Sequence, residues 1–258
     1  MRPGTVQLTV TALAGIPEVA PGADLAGFLI AALEDNALVP GSQDILVVTQ
    51  KIVSKAEGRY LDLGTVAPSE RARDLARLTG KDVRLIEAVL SQTDEVLRAK
   101  HNVLIVATRT GLVIANAGID QSNLTVQDRG TRVLLLPEDA DRSAGALKAR
   151  LDQHFDCDVG LIISDSAGRA WRLGTVGIAI GAAGVPSLWD RRGEPDMAGR
   201  PLEVTEVGFA DAVAAMAVLA MGEAAEARPA ALVRGLAWSA STRPASALVR
   251  PKSQDMFR

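Results

Sequence analysis

The chain has 258 residues, of which 48% are hydrophobic, 23% charged and only 3% aromatic, with a formal net charge of −3. Such a length can bury a sizeable core, as one large domain or two small lobes, and Ala, Val, Leu and Ile must supply most of it. Slight acidity without a basic tail argues against nucleic acid as an obligate partner, and a lone cysteine, Cys157, excludes an internal disulfide and fits a reducing cytoplasm.

The opening residues carry no long apolar segment of the signal-peptide kind. Leu173 to Trp189, the longest uncharged run, is too short and glycine-rich to span a bilayer comfortably. A soluble, cytoplasmic protein is therefore expected, with no membrane partner.

In chain order, Gln7 to Leu13 alternates as a strand does, and Gly15-Ile16-Pro17-Glu18 turns the chain. Asp24 is placed to cap a helix whose Leu25, Phe28, Leu29, Ala32 and Leu33 form one apolar stripe. Ile45 to Val48 reads as a buried strand and runs into Gln50-Lys51-Ile52-Val53-Ser54-Lys55. The two lysines, four apart beside a strand end, suit either a solvated surface or a phosphate, for which Lys serves as a point charge. Ser69 starts a helix through Leu78 that Gly80 stops, and Asp82 caps another through Leu90. Asn102 to Ala107 and Leu112 to Ala115 predict a hairpin.

That hairpin delivers a polar loop, Asn116 to Asn123, in which Asp120 and Asn123 are suited to Asx-turns. Thr131 to Leu136 predicts a strand, and Ser143 to Phe155 an amphipathic helix. His101 and His154, the only histidines, have no metal-ligand partner at useful spacing, and Cys157 reads as a packed thiol. No P-loop, dinucleotide fingerprint, nucleophile elbow or Cys-x-x-Cys occurs.

The centre of the chain is Leu161 to Gly184. A buried strand, Val159 to Ile163, ends on Ser164-Asp165-Ser166, where the chain is expected to pass into a loop bent at Gly168. Arg169 and Arg172 follow, and then a second apolar run, Thr175 to Gly184. Buried charges need partners. A metal-bound phosphate would satisfy both signs, and so would an internal Asp165–Arg169 pair closing a turn. Beyond it lie a charged loop from Asp190 to Arg200, an Ala-rich helix from Asp211 to Met221, a last strand from Ala230 to Gly235, and a tail, 251–258, expected to be mobile.

Six of these segments, in one order along the chain, resemble the coenzyme F420-0:gamma-glutamyl ligase family. They are Gly15 to Glu18, Val53 to Arg59, Ala115 to Asn123, Ser164 to Arg172, Asp190 to Arg200, and Met221 to Glu223. The resemblance covers nearly the whole chain and implies a stand-alone ligase module over residues 1–250. It implies an α+β, two-lobed fold in an intertwined homodimer.

The implied activity is GTP-dependent, ATP-grasp-independent addition of L-glutamate to coenzyme F420-0, with further gamma-linked glutamates, through an acyl phosphate. Mg²⁺ or Mn²⁺ is implied, with a monovalent cation such as K⁺ as a further ion. By the same resemblance Asp120, Asp165, Ser166 and Glu223 would be metal ligands. Ile16, Pro17, Glu18, Val19, Gln50, Lys51, Lys55 and Asn123 would contact GTP, as would Met221, Gly222, Glu223, Ala224, Ala225, Glu226, Ala227 and Arg228. Asp120, Asp165, Lys55 and Arg169 would act in catalysis. Two rival functions fit the same acids: a metal-dependent phosphotransferase or phosphatase, and a non-catalytic binding module.

Overall fold

Four consecutive apolar residues, Ile45 to Val48, suit a strand covered on both faces. The computed structural model of the protein, which describes residues 5–121 and 130–256, places them in such a strand. Among the described residues the chain opens with β1 (Thr9–Ala12), α1 (Leu25–Asp35), β2 (Ile45–Thr49) and α2 (Gln50–Ala56). A middle section holds β3 (Tyr60–Asp62), α3 (Glu70–Thr79), α4 (Val83–Ser91), β4 (Thr93–Lys100), β5 (Val103–Thr108), β6 (Val113–Ala115) and β7 (Arg132–Leu134). The last section holds α5 (Ala140–Phe155), β8 (Gly160–Arg169), β9 (Arg172–Ala183), β10 (Leu188–Asp190), β11 (Glu206–Gly208), α6 (Phe209–Met221) and β12 (Ala230–Arg234). The fold is α+β.

Its frame is a five-stranded sheet in the order β1-β12-β2-β8-β9. Only β2 and β8 run parallel, with Ile45 opposite Gly160 and Thr49 opposite Ser164. Residues alternate between the two faces. Leu46, Val48, Leu161, Ile163 and Leu232 pack with α1 and α5 in one apolar layer, whereas Ile45, Val47, Ile162 and Val233 pack with α6 in the other. Each of these nine side chains is at most 1% exposed, which at roughly 1.5–3 kcal/mol apiece makes the sheet a large contributor to stability. A third apolar layer, from Leu63 to Leu135, belongs to the middle section, where α3 and α4 cover the sheet β4-β5-β6.

The helix ends follow from local chemistry. Asp24, Ser69 and Asp82 accept from the amides of Gly27, Ala72 and Arg84, and Gly80 ends α3 in the left-handed region. The glycines of β9 have a different cause. A Cβ on Gly177 would meet the Ala214 carbonyl oxygen at 2.6 Å, and one on Gly181 would meet that of Ala140 at 2.3 Å. Both covering helices, α6 and α5, thus touch the strand backbone directly. Asp211 and Asp141, in the first turns of α6 and α5, accept from the β9 amides of Ala179 and Ala182 at 2.8 and 2.9 Å. The Ala179 amide is available because pairing with β8 slips by one residue there.

Two expectations need correction. The chain does not pass into a loop after Ile163: β8 continues through Asp165 and Ser166 to Arg169, paired with β9, and Ala170-Trp171 forms the turn. The antiparallel partner satisfies the backbone of this polar end, so it needs no loop. Nor does Arg169 close a turn on Asp165; its guanidinium meets the Leu173 carbonyl oxygen at 3.5 Å in an exposed hairpin tip, four residues along the strand from Asp165. The short helix α2 and the strand β4, whose residues are largely charged or polar, were both silent in the apolar pattern. The segment after Pro251 includes a 3₁₀ turn, Lys252–Gln254, and Lys252 meets Glu95 at 2.6 Å. Among the described residues no helix is long and apolar enough to cross a membrane.

Candidate active site

Parallel strands carry the groups at their carboxyl ends to one edge of a sheet, where open α/β sheets place their ligands. Here β2 delivers Gln50 and Lys51, and β8 delivers Ser164, Asp165 and Ser166, to the wall of a cleft of about 630 Å³. Three further segments close it: Ile16 to Val19, the stretch Ile114 to Asp120, and the chain from Met221 to Pro229 after α6.

The cleft gathers most of the residues the sequence singled out. Ile16, Pro17, Glu18, Val19, Gln50, Lys51, Lys55, Asp120, Asp165, Ser166, Met221, Gly222, Glu223, Ala224, Glu226, Ala227 and Arg228 all line it. Ala225 and Arg169 do not. Asn123 lies outside the described residues. Thr49, Gly168, Thr175 and Val218 line the cleft too; Gly168 falls in the Ser164 to Arg172 segment, whereas no charge or motif in the sequence marks the other three.

The electrostatic centre is Asp165. Asp165 is part-buried, and the desolvation of its carboxylate, reinforced by the neighbouring Asp120 charge, pushes its pKa up to about 6. Three groups oppose the rise: the Ser166 amide at 2.9 Å, the Lys51 charge, and the Gln50 side-chain amide. Gln50 is itself 1% exposed and accepts from Ser54 Oγ at 3.0 Å. Its amide is therefore turned onto Asp165 by a partner on the next turn of α2, a role that only burial reveals.

Asp120 arrives on a bent segment, since Asn116, Ala117 and Gly118 all have positive φ, of 51°, 55° and 70°. Backbone bonds in both directions between Asp120 and Leu134, each 2.9 Å, hold the far side of that bend. Its Oδ2 lies 2.9 Å from Lys51 Nζ. Lys55 is buried, with Nζ 4.0 Å from Glu18 Oε1. Next to Asp165 on β8, Ser166 Oγ lies 2.8 Å from each carboxylate oxygen of Glu223, which follows α6. Glu226 accepts from the Ala224 amide at 2.8 Å, which helps hold its carboxyl below the usual range.

The donor set suits a hard divalent cation. The Asp120 charge disfavours ionisation of Asp165, whose desolvation is incompletely compensated. No group of three or more His, Cys, Asp or Glu side chains is arranged to hold a metal among the described residues. Two carboxylates are nonetheless what Mg²⁺ commonly takes from a protein, with substrate phosphates and water supplying the rest. Away from the cleft, Cys157 donates to the Pro40 carbonyl oxygen at 3.4 Å and burial pushes its thiol up, so it is not activated.

Carboxylates and ammonium groups converging on one cleft are the equipment of an enzyme that handles anionic substrates. Residues 15–235 match the family model described as F420-0:Gamma-glutamyl ligase, and the chain belongs to that family. It is 42% identical over 253 residues to a protein of Methanothermobacter thermautotrophicus, a match covering 97% of this chain and 99% of the relative. It is 43% identical to one of Methanopyrus kandleri, over 93% and 94% of the two chains, and 41% identical to one of Archaeoglobus fulgidus, over 90% and 89%. All three relatives are named Coenzyme F420:L-glutamate ligase.

Proposed function

We propose that the protein joins L-glutamate to the terminal carboxylate of coenzyme F420-0, and further glutamates through gamma linkages, at the expense of GTP. The observation that carries this reading is the gathering of Lys51, Lys55, Asp120, Asp165, Ser166 and Glu223 in one cleft of a chain whose ligase relatives match it nearly end to end. Two reactions in series are involved. An acceptor carboxylate oxygen attacks the γ-phosphorus of GTP and GDP leaves, giving an acyl phosphate. The glutamate amine then attacks the acyl carbon, loses a proton, and phosphate departs.

No step requires a protein nucleophile. What it requires is alignment of three anionic molecules and neutralisation of their charge. Lys51 and Lys55 supply ammonium groups for phosphate oxygens. Asp120 and Asp165 would hold Mg²⁺ or Mn²⁺, with Ser166 and Glu223 as further ligands. When bound, the ion neutralises the phosphates and aligns them for in-line transfer. The backbone of Ile16 to Val19 and of Met221 to Arg228 is suited to reading the guanine edge, and so to preferring GTP over ATP.

We also propose a two-lobed subunit that works as a homodimer. The separate apolar layer of residues 63–135 supports the lobes. The hairpin tip, with Trp171 82% and Leu173 99% exposed, supports pairing with a second copy.

The deciding experiment incubates the protein with F420-0, GTP, Mn²⁺ and glutamate, and weighs the product. Gain of one or more glutamyl residues, with one GDP and one phosphate for each, is expected. GTP turnover indifferent to glutamate would favour a phosphotransferase or phosphatase instead. Equal kcat/KM for GTP and ATP would remove the nucleotide preference, and a fully active 27.0 kDa species in light scattering would remove the dimer.

A further inference from the structure

Lys51 holds the position that a bound metal would contest. Its Nζ is 2.9 Å from Asp120 Oδ2, and the two side chains are only 32% and 18% exposed. The same charge reaches Asp165, so one ammonium serves both carboxylates. A divalent ion approaching that pair meets a like charge already in place.

The two neighbours of Lys51 along α2 make this a side-chain matter. Gln50 is buried and bonded to both Ser54 and Asp165, and Ile52 is 8% exposed. The backbone at Lys51 is therefore anchored on both sides, while its four-carbon stem can swing about it. An arginine there would make a planar fork with Asp120 and release it less readily.

We propose that Lys51 is the resident counter-ion of the Asp120–Asp165 pair, displaced from Asp120 by the divalent cation and then turned onto the nucleotide phosphates. This rests on the metal and nucleotide reading given above. The consequence is an exchange of partners. Alone, the cation must displace the ammonium, so it binds weakly. With nucleotide present the displaced ammonium gains a phosphate, so each ligand tightens the other by the same factor.

The test is Mn²⁺ titration without nucleotide, followed by electron paramagnetic resonance of the free ion, and GTP titration by calorimetry at saturating Mn²⁺. The proteins are the wild type, Lys51→Met, Lys51→Arg and Asp165→Asn. A like charge a few ångströms away alters ionic binding by about one to three decades. Lys51→Met should therefore bind Mn²⁺ at least about tenfold tighter than wild type and bind GTP at least about tenfold more weakly.

Lys51→Arg keeps the charge and should bind Mn²⁺ no tighter than wild type. Unchanged or weaker Mn²⁺ binding by Lys51→Met, beside a wild type that binds and an Asp165→Asn that does not, overturns the exchange while leaving the metal site standing. Tighter Mn²⁺ binding by Lys51→Arg overturns it equally, and does so even if Lys51→Met does not fold. Mn²⁺ binding unaffected by Asp165→Asn overturns the metal reading itself.

Discussion

Replacing Asp165 with Asn removes a charge from a poorly hydrated place in the cleft. In metal-free protein, burial raises this carboxyl from 3.8 to about 6, and at about 1.36 kcal/mol per pH unit the ionised form costs the fold about 3 kcal/mol at neutral pH. The sign follows from proton uptake. Between the two values the folded protein holds more protons than the unfolded chain, so stability falls as pH rises from about 4 to about 6 and stays lower above. Asn keeps the shape and one acceptor oxygen but serves the Ser166 amide and the Gln50 amide less well, which returns about 1–2 kcal/mol. Chelator-treated Asp165→Asn should therefore be about 1–2 kcal/mol more stable than wild type at pH 7.5, and the advantage should vanish near pH 4. Urea melts at both pH values measure this. With Mn²⁺ and GTP added, wild type should gain stability by mass action, about 2.7 kcal/mol at a hundredfold excess over Kd, and the variant should gain little. A variant that is less stable at pH 7.5, or whose difference from wild type ignores pH, would refute the burial argument. An undiminished ligand-induced gain would refute the metal assignment.

Other substitutions probe the frame. Gly181→Ala forces a methyl against the Ala140 carbonyl oxygen and should cost about 1–3 kcal/mol in urea melts, without a compensating rotamer. Leu161→Ala, at a fully buried position of β8, should cost about 2–5 kcal/mol. Asp82→Ala removes the cap of α4 and should cost about 1 kcal/mol at pH 7. Because the Arg84 guanidinium and backbone amides hold the Asp82 carboxyl down at about 2, its contribution is present above pH 4 and fades as pH falls through 2. A melt at pH 2 should accordingly show a smaller difference than one at pH 7.

What the sequence discloses divides along physical lines. Helix caps at Asp24, Ser69 and Asp82, and the buried strands Ile45 to Val48 and Ala230 to Gly235, were legible because each is decided by a few neighbouring residues. The continuation of β8 beyond Ile163 was not, since Asp165 and Ser166 look like loop residues until β9 is laid beside them. Strand β4, TDEVLRAK, hides for the same reason: its partner strand, not its own pattern, makes it extended. At the site the residue types announced an anion-handling cleft, but not their division of labour. Gln50, expected as a nucleotide contact, lines the cleft and also bonds Asp165, which the sequence did not show, and Arg169 reads as a site residue and sits on an exposed hairpin. Such distinctions depend on which way a side chain faces, which no spacing along β8 or α2 encodes.

The strand order has a consequence for how the protein is made. β12 lies between β1 and β2, so a strand from residues 230–234 separates two that emerge from the ribosome about two hundred residues earlier. Until it arrives, β2 presents an unpaired edge of Ile45, Leu46, Val47 and Val48, and β1 has no neighbour at all. The middle section has no such delay, because its sheet and its two helices are contiguous in the chain. Synthesis should thus yield an early, locally folded middle section tethered to an open, aggregation-prone sheet that closes only in the final stage. Chains stalled before Ala230 should be cut by protease within β2 while β4 to β6 resist. Equal protection of β2 in such stalled chains would rule out this order of assembly.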